Sequence, residues 1–243
     1  MLENKLAVVT GANRGIGFTI AQTFASNGAK VFACMRTVDS DILTRISHQH
    51  DRVVGVELDL SDSSSIKAAI KRIALLSGNK VDVLVNNAGT ASGGLFQMLS
   101  IAELRRILEI NLIGQITLTQ GLSRLMTRHR SGSIVNITST AAEISDPGTL
   151  AYGVSKAAFA RATRSMAVEL GAANIRVNSI APGVTKTDMY EQMDPEARER
   201  LIDLSALKRA AESQDIANVA LFFASDLSGF VTGQNLNVDG GIT

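Results

Sequence analysis

Two side chains with complementary acid–base chemistry, Tyr152 and Lys156, stand four residues apart in the chain. On a helix this spacing puts them on one face, one turn apart. A phenol has a reference pKa of ~10, and lowering it to ~7 requires about 4 kcal/mol of preference for the phenolate. An ammonium ~4 Å away supplies about this much at an effective dielectric constant of ~20. The pair predicts a general acid/base that works without histidine, and an ordinary helix face is the alternative interpretation.

A glycine-rich segment at 10–17 is the second feature that could do chemistry, and it follows an apolar run. Its sequence is Thr-Gly-Ala-Asn-Arg-Gly-Ile-Gly. Glycines at such a junction permit a tight turn and let a pyrophosphate approach the amides that begin the next helix. The spacing differs from the general G-x-G-x-x-G fingerprint, and the Gly-Lys-Ser/Thr ending of a nucleoside triphosphate loop is missing. The segment therefore favours a dinucleotide, with simple turn chemistry as the alternative.

The residues after the second apolar run bear on which dinucleotide is bound. An acidic residue about 20 positions beyond the glycines would bind the adenosine ribose and favour NAD. Met35 stands there instead, followed by Arg36, and Arg14 lies in the glycine segment. Two guanidinium groups suit the additional phosphate of NADPH, since arginine binds phosphate through a planar fork. NADPH is therefore favoured over NADH, although the nearby Asp39 and Asp41 keep NAD open.

The elements that must position these groups alternate along the chain. Short apolar runs occur at 6–9, 31–34, 53–56, 81–85, 133–137, 176–180 and 235–238. Such nearly continuous apolar runs are typical of strands buried on both faces. Helical spacing is found at 17–27, 63–76, 101–128, 150–170 and 213–224, with Ser61 and Asp62 or Ser213 as candidate caps. The alternation predicts an α/β fold, a parallel sheet of about seven strands with helices on both faces.

Composition excludes several classes of function. The 243 residues carry 24 basic and 23 acidic side chains, a formal net charge of +1, which lacks the basic excess typical of nucleic-acid binding. A single cysteine, Cys34, excludes an intramolecular disulfide framework. The histidines, His48, His50 and His129, are scattered, so we expect no metal site. No apolar run approaches ~20 residues and no signal-peptide core precedes the first run, so we expect a cytoplasmic protein without a membrane partner.

Taken together, the chain resembles the short-chain dehydrogenase/reductase superfamily over essentially its whole length. The resemblance rests on the segment 10–17, Asn-Asn-Ala-Gly at 86–89, Asn111, Ser139, Tyr152 with Lys156, and Pro-Gly at 182–183. It implies one dinucleotide-binding and catalytic domain over 1–243, a Rossmann-type doubly wound sheet, with a substrate-covering segment at about 186–212. It also implies four catalytic residues: Asn111, Ser139, Tyr152 and Lys156.

The resemblance gives these residues roles. Tyr152 would donate a proton to the substrate carbonyl, Ser139 would position that carbonyl, and Lys156 would lower the pKa of Tyr152 and hold the nicotinamide ribose. Asn111 would kink its helix locally and hold a water. Tyr152 and Lys156 are also counted among the cofactor-binding residues. The others are Gly11, Asn13, Arg14, Gly15, Ile16, Gly17, Arg36, Asp59, Leu60, Asn87, Ala88, Gly89, Pro182, Gly183, Val184, Thr185 and Thr187.

Within the superfamily, the chain is most similar to the 3-oxoacyl-acyl-carrier-protein reductases of fatty-acid biosynthesis. The segments 181–189 and 237–241 carry this resemblance. It implies NADPH-dependent reduction of a 3-oxoacyl thioester by a homotetramer packed through the helices at about 101–128 and 150–170. Such enzymes dock an acyl carrier protein on two arginines near the site entrance. Arg130 matches the first, but Ala173 replaces the second, which leaves the carrier protein an open question.

Two other functions remain as alternatives. One is a short-chain alcohol dehydrogenase or ketoreductase that acts on another carbonyl compound, from lipid, polyketide, sugar or glycan metabolism, with NAD as a possible cofactor. The other is a dinucleotide-sensing module without enzymatic activity. A sensor of this kind should lack a catalytic member, and the set Ser139, Tyr152 and Lys156 is complete.

Overall fold

In the computed structural model, residues 1–47 and 52–242 are described, so His48 and His50 lie outside the described residues. One parallel sheet of seven strands forms the centre of the fold, in the order β3-β2-β1-β4-β5-β6-β7. The strands are β1 (Leu6–Thr10), β2 (Lys30–Met35), β3 (Val53–Glu57), β4 (Val83–Asn86), β5 (Gly132–Ile137), β6 (Ile175–Pro182) and β7 (Asn235–Val238). All seven predicted strands are confirmed.

Helices connect the strands and cover both faces of the sheet. They are α1 (Gly15–Ser26), α2 (Ser40–Ile46), α3 (Ser63–Leu76), α4 (Ile101–Leu108), α5 (Gly114–His129), α6 (Leu150–Gly171), α7 (Asp188–Glu191), α8 (Pro195–Leu204) and α9 (Ser213–Ala224). The long helix predicted at 101–128 is interrupted by a π-helical turn at Glu109–Ile113, which separates α4 from α5. Helix α2 has no counterpart among the predicted elements.

The core has two parts, one on each side of the sheet. In β1, Ala7 and Val9 pack with α1 and α9 residues such as Phe24 and Phe223, whereas Val8 between them joins Leu118 on the other side. Successive side chains of a strand point to opposite faces, so both faces must be apolar when helices cover both. This burial explains the nearly continuous hydrophobicity of the strand sequences.

The order in which the chain adds strands to the sheet reverses at β1. It pairs with β2 on one side and with β4 on the other, so the loops after β1 and β4 diverge to opposite faces. A crevice opens at the carboxyl ends of the strands at such a point, and open α/β sheets bind ligands there. The predicted glycine turn, the Asn-Asn-Ala-Gly turn, Ser139 and the segment at 182–187 all follow strands at this edge.

The N-terminal caps of α9 and α2 are not the ones predicted from the sequence. Helix α9 is capped by Glu212 rather than Ser213, because Glu212 and Asp215 form a reciprocal capping box. Asp39, considered above as a ribose ligand, caps α2 by accepting hydrogen bonds from the amides of Asp41 and Ile42.

The described residues contain neither a helix suited to crossing a membrane nor a cluster of metal-binding side chains. None of the helices in the described ranges combines the length and hydropathy needed to cross a bilayer. Across residues 1–47 and 52–242, no group of three or more His, Cys, Asp or Glu side chains is arranged to hold a metal ion.

Candidate active site

Tyr152 stands in the first turn of α6, facing Ser139 in the loop after β5. The two hydroxyl groups are joined by a hydrogen bond. Ser139 is held in place by its own loop, because its Oγ accepts from the amide of Ala141 at 3.1 Å. A carbonyl oxygen placed between the two hydroxyls could therefore receive one hydrogen bond from each. The structure brings together the two residues that the sequence separates by twelve others.

Lys156 lies one turn after Tyr152 on the same face of α6 and is buried, with 4% of its surface exposed. Its Nζ donates to the carbonyl of Ile137 at 2.8 Å and lies 5.7 Å from the centroid of the Tyr152 ring. Burial lowers the pKa of the Lys156 ammonium to about 8, because desolvation disfavours the charged form. The predicted pairing on one helix face is confirmed.

The predicted direction of the Tyr152 pKa shift is wrong for the folded chain. Packing around the phenol raises its pKa above the reference value, and the hydrogen bond with Ser139 offsets only part of this effect. A lowered pKa requires an ammonium ~4 Å from the phenol, whereas Lys156 lies beside the ring and is itself desolvated. Tyr152 consequently stays protonated at neutral pH, which is the form that donates a proton.

Asn111 connects the π-helical turn to the loop after β4. Its amide nitrogen donates to the carbonyl of Thr90 at 2.8 Å, and its Oδ1 accepts from the amide of Thr90 at 2.8 Å. The same amide nitrogen donates to Ser155 Oγ at 3.0 Å, and that hydroxyl donates to the carbonyl of Tyr152 at 2.7 Å. Asn111 is thus linked to α6 one residue before Lys156.

Sequence reasoning missed two residues of this network. Ser155 is not among the site residues predicted from the sequence. Gln115, one turn after Asn111, is buried and its amide donates a hydrogen bond to the carbonyl of Ala88. The four-residue spacing of Asn111 and Gln115 is the signal that could have found it, since both side chains reach the turn at 88–90 from one helix face.

The glycine turn is shaped to admit a phosphate and fits a dinucleotide. Gly11 and Gly15 have φ values of 67° and 54°, which favour glycine. A Cβ on Gly17 would lie 2.3 Å from both Asn87 Nδ2 and the carbonyl oxygen of Gly11. Helix α1 has no side-chain cap, unlike α3, α4 and α8, and it has no acidic residue in its first turn. Its free amides are therefore available to an anion.

Asn87 and Ala88 brace the glycine turn from the neighbouring strand. Thr10 Oγ1 accepts from the amides of Asn87 and Ala88, both at 2.9 Å, and Asn87 Nδ2 donates to the carbonyl of Thr10 at 2.9 Å. Gly89 follows, and a Cβ there would lie 3.3 Å from Asn111 Oδ1 and 3.5 Å from Lys156 Nζ. The expected adenosine-side turn therefore lies against Asn111 and Lys156, two of the predicted catalytic residues.

The two arginines expected to share a phosphate are oriented differently. Arg14 donates to Asp188, with 2.7 Å between Nη1 and Oδ2. Arg36 lowers the pKa of Asp59, although the larger cause is the pair of hydrogen bonds that Asp59 accepts from Ser61. Arg14 thus forms an ion pair with Asp188, whereas Arg36 acts on Asp59 only through a longer-range electrostatic effect. Leu60, after Asp59, is buried, whereas Asn13 is exposed in the glycine turn.

The segment after β6 passes from the sheet into α7 and α8, which form most of the predicted substrate-covering segment. A Cβ on Gly183 would lie 2.8 Å from Asp239 Cα, so glycine is needed for this close approach. Thr185 is buried and forms a β-bridge with Ala211, while the carbonyl of Val184 accepts from the amide of Ala211 at 2.8 Å. These contacts hold together the two ends of the segment that contains α7 and α8, at 184–186 and at 211–212.

Arg130 does not lie near the entrance of the site in its own chain. It follows α5 and precedes β5, whereas Ser139 follows the other end of β5. A six-residue strand spans about 20 Å, so Arg130 and the site occupy opposite edges of the sheet. The Arg130 guanidinium donates to the carbonyl of Ala172 at 2.9 Å, which places it beside Ala173. Arg130 and Ala173, which occupy the positions of the two docking arginines, therefore lie next to each other but far from Tyr152.

Comparison with known proteins identifies the family. A family model described as "Enoyl-(Acyl carrier protein) reductase" matches residues 11–243. The 3alpha-hydroxysteroid dehydrogenase of Mediterraneibacter gnavus is 36% identical over 244 residues, covering 99% of this chain and 97% of that protein. The 3-oxoacyl-[acyl-carrier-protein] reductase of Thermotoga maritima is 35% identical over 244 residues, with 99% and 98% covered. The chain belongs to the short-chain dehydrogenase/reductase family.

Solved structures of this family show the same fold. A crystal structure from Sinorhizobium meliloti superposes with a TM-score of 0.93 at 34% identity, covering 99% of this chain and 97% of that one. A short chain dehydrogenase/reductase family protein gives a TM-score of 0.84 at 36% identity, with 99% and 97% covered. The expected Rossmann-type doubly wound sheet is confirmed. As a member of the family, the protein is an NAD(P)-dependent oxidoreductase.

Proposed function

We propose that the protein reduces a carbonyl compound to the alcohol with NADPH, and that a 3-oxoacyl thioester such as 3-oxoacyl-acyl-carrier protein is its substrate. The single observation that carries this proposal is the Tyr152 hydroxyl, hydrogen-bonded with Ser139 one turn above buried Lys156. The reductase relatives support the thioester. Tyr152 is suited to the acid role in reduction, because burial raises its pKa and keeps the phenol protonated at neutral pH.

In this proposal the residues of the chain bind, orient and protonate. Ser139 and Tyr152 donate hydrogen bonds to the substrate carbonyl oxygen, and Tyr152 transfers its proton to that oxygen as charge develops there. Lys156, held by the Ile137 carbonyl, stabilises the phenolate that remains. Asn111 fixes the backbone beside Lys156 through Thr90 and Ser155. When bound, a reduced nicotinamide dinucleotide supplies the hydride, and the protein supplies the geometry.

The residues that would hold the dinucleotide follow from the fit of the crevice. The uncapped start of α1 and the glycines at 11, 15 and 17 would accept the pyrophosphate. Asp59 and Leu60 would lie at the adenine, the turn at 87–89 along the adenosine, and the segment at 182–187 along the nicotinamide. Arg14 and Arg36 would bind the additional phosphate of NADPH. Tyr152 and Lys156 would hold the nicotinamide ribose.

A substrate panel tests the proposal. Initial rates of NADPH and NADH oxidation are measured with acetoacetyl and longer 3-oxoacyl thioesters, simple ketones, keto-sugars and oxosteroids. We expect the highest kcat/KM with a thioester and NADPH. If the protein turns over another carbonyl compound but no thioester, the proposed thioester substrate is wrong. No turnover of any carbonyl with either dinucleotide would overturn the proposed activity and leave the dinucleotide-sensing alternative.

A second candidate is a dehydrogenase for a hydroxylated lipid or another alcohol, with NAD as cofactor. Two observations favour it. Relatives of equal similarity are named hydroxysteroid dehydrogenases, including the 7alpha-hydroxysteroid dehydrogenase of Escherichia coli at 37% identity over 243 residues. Arg130 lies on the edge opposite Tyr152, with Ala173 where a second docking arginine would stand. Oxidation of a hydroxysteroid with NAD⁺, exceeding thioester reduction with NADPH, would favour this candidate.

The assembly proposed with this function is a homotetramer that uses the helices at 101–129 and 150–171. Several residues on these helices are apolar and exposed in the single chain. They are Ile101, Ile113, Val154 and Val168, the last with 84% of its surface exposed. Apolar exposure of this kind is suited to a subunit interface. Light scattering after size-exclusion chromatography should give about four times 25.7 kDa. A monomeric mass would overturn the assembly and leave the activity untouched.

A further inference from the structure

The substrate-covering segment at 186–212 contacts the glycine turn directly. A Cβ on Gly15 would lie 3.2 Å from Thr187 Cγ2, so the two backbones are packed closely. Next to this contact, Arg14 of the turn and Asp188 at the start of α7 form an ion pair, with 2.7 Å between Nη1 and Oδ2. The pair joins a residue of the cofactor site to the segment that covers the substrate, across 174 positions of sequence.

Asp188 competes with a bound phosphate for the guanidinium of Arg14. A guanidinium that faces a carboxylate is partly neutralised, and the donors engaged there are lost to a phosphate. Among the described residues, Arg14 is the cation within 4.0 Å of Asp188, whereas no carboxylate lies within that distance of Arg36. One of the two expected phosphate ligands is therefore occupied by a residue of the protein itself, and the other is not.

The exposure of the pair makes it breakable. The side chains of Arg14 and Asp188 are 63% and 58% exposed, so water and salt reach both partners. Exposed ion pairs of this kind contribute little to stability, and separating one changes an equilibrium by a factor of about five at most. A phosphate of two negative charges can displace a single carboxylate under these conditions, at a cost to its own affinity.

We infer that Asp188 is a specificity-determining residue for the cofactor, which weakens the preference for NADPH by competing with the adenosine 2′-phosphate for Arg14. The inference rests on the proposed use of NADPH. NADH lacks the 2′-phosphate, so its binding leaves the ion pair intact. NADPH binding must separate Arg14 from Asp188, and it thereby also releases a contact that holds α7 on the glycine turn.

The test compares dissociation constants of NADPH and NADH for Asp188→Asn, an isosteric change that removes the charge. Isothermal titration calorimetry with each dinucleotide gives these constants without a substrate. We expect NADPH to bind about threefold more tightly to the variant, with NADH changed by less than about 1.5-fold. In an Arg14→Ala background, the same substitution should leave both constants unchanged, since the competition has been removed.

Glu191→Gln is the matched control. It removes a carboxylate three residues later in α7 that faces Arg198, at 3.9 Å, rather than the glycine turn. Its ratio of dissociation constants should equal that of the unmodified protein.

Two outcomes would overturn the inference: an unchanged ratio of the NADPH and NADH dissociation constants in Asp188→Asn, or weaker NADPH binding. The last would mean that Asp188 orients Arg14 toward the phosphate. If the unmodified protein turns over a ketone with NADPH and the ratio is unchanged, the inference falls while the proposed function stands. If the unmodified protein binds neither dinucleotide, the proposed function itself falls.

Discussion

The ammonium of Lys156 lies 5.7 Å from the centre of the Tyr152 ring and donates to the Ile137 carbonyl at 2.8 Å. Strand β5 therefore fixes the position of a lysine on α6, and through it the electrostatic environment of the phenol. Because the lysine is buried, its charge acts through a medium of low dielectric constant, where it counts for more than in water. The charge of Lys156 therefore affects how readily Tyr152 gives up its proton.

Replacing Tyr152 with Phe should abolish carbonyl reduction and weaken dinucleotide binding by no more than one hydrogen bond, about 0.5–1.5 kcal/mol, because Lys156 and the glycine turn still hold the dinucleotide. The substitution removes one hydroxyl and keeps the ring that packs beside Lys156. General acid catalysis contributes typically ~10²–10⁴-fold, so we expect kcat to fall by at least about a hundredfold. Steady-state rates and calorimetric titration with NADPH measure the two properties separately. A variant that keeps most of its rate would remove Tyr152 from the mechanism.

The pH dependence of reduction should follow the ionisation of Lys156. The pKa of this residue is lowered by burial to about 8, so the ammonium is present below pH 8 and is lost as the pH rises through that value. We expect kcat/KM to be level between pH 6 and about 8 and to fall up to about tenfold per pH unit above it.

Lys156→Arg tests this assignment, because a guanidinium stays charged throughout the range. Whatever its absolute rate, the variant should lose the inflection near pH 8. An identical inflection in both proteins would assign the titration to another group.

Replacing Asn111 with Ala should destabilise the protein and slow the reaction together. Asn111 makes hydrogen bonds to both backbone groups of Thr90 and to Ser155, and it is buried. Leaving buried partners unsatisfied costs about 1–3 kcal/mol each. Each kcal/mol lowers the melting temperature of a chain of this size by about 2–4 °C.

Calorimetry of Asn111→Ala is compared with Asn218→Ala, a change at an exposed position of α9. The control should shift the free energy of unfolding by less than about 0.5 kcal/mol. Equal melting temperatures for the two variants would show that the Thr90 contacts are dispensable.

A methyl group at Gly17 should impair dinucleotide binding. The added Cβ would lie 2.3 Å from Asn87 Nδ2 and from the Gly11 carbonyl, closer than real Cβ atoms come. The glycine turn and the Asn87 contact must shift, so we expect NADPH affinity to fall at least about tenfold.

Gly171→Ala provides the control, because a Cβ there meets nothing within 4 Å. Helical Gly to Ala changes are neutral or stabilising where the backbone allows them, so affinity should be unchanged. Equal NADPH affinity in both variants would contradict the proposed cradle.

The sequence by itself determined the order of strands and helices, because a strand covered on both faces must be apolar at nearly every position. The same reasoning located the glycine turn and the spacing of Tyr152 and Lys156, which depend only on local helix geometry. It did not find Gln115 or the role of Ser155, since their hydrogen bonds join elements far apart in the chain.

Tertiary structure alone decided the electrostatics. Burial, which depends on neighbours from the whole fold, raises the pKa of Tyr152 and lowers that of Lys156, whereas a distance argument predicted the opposite shift for the phenol. Packing of the substrate-covering segment brings Asp188 to Arg14, and the length of β5 separates Arg130 from the site. A linear sequence specifies which charges exist. Their partners and their solvation are set only when the chain has folded.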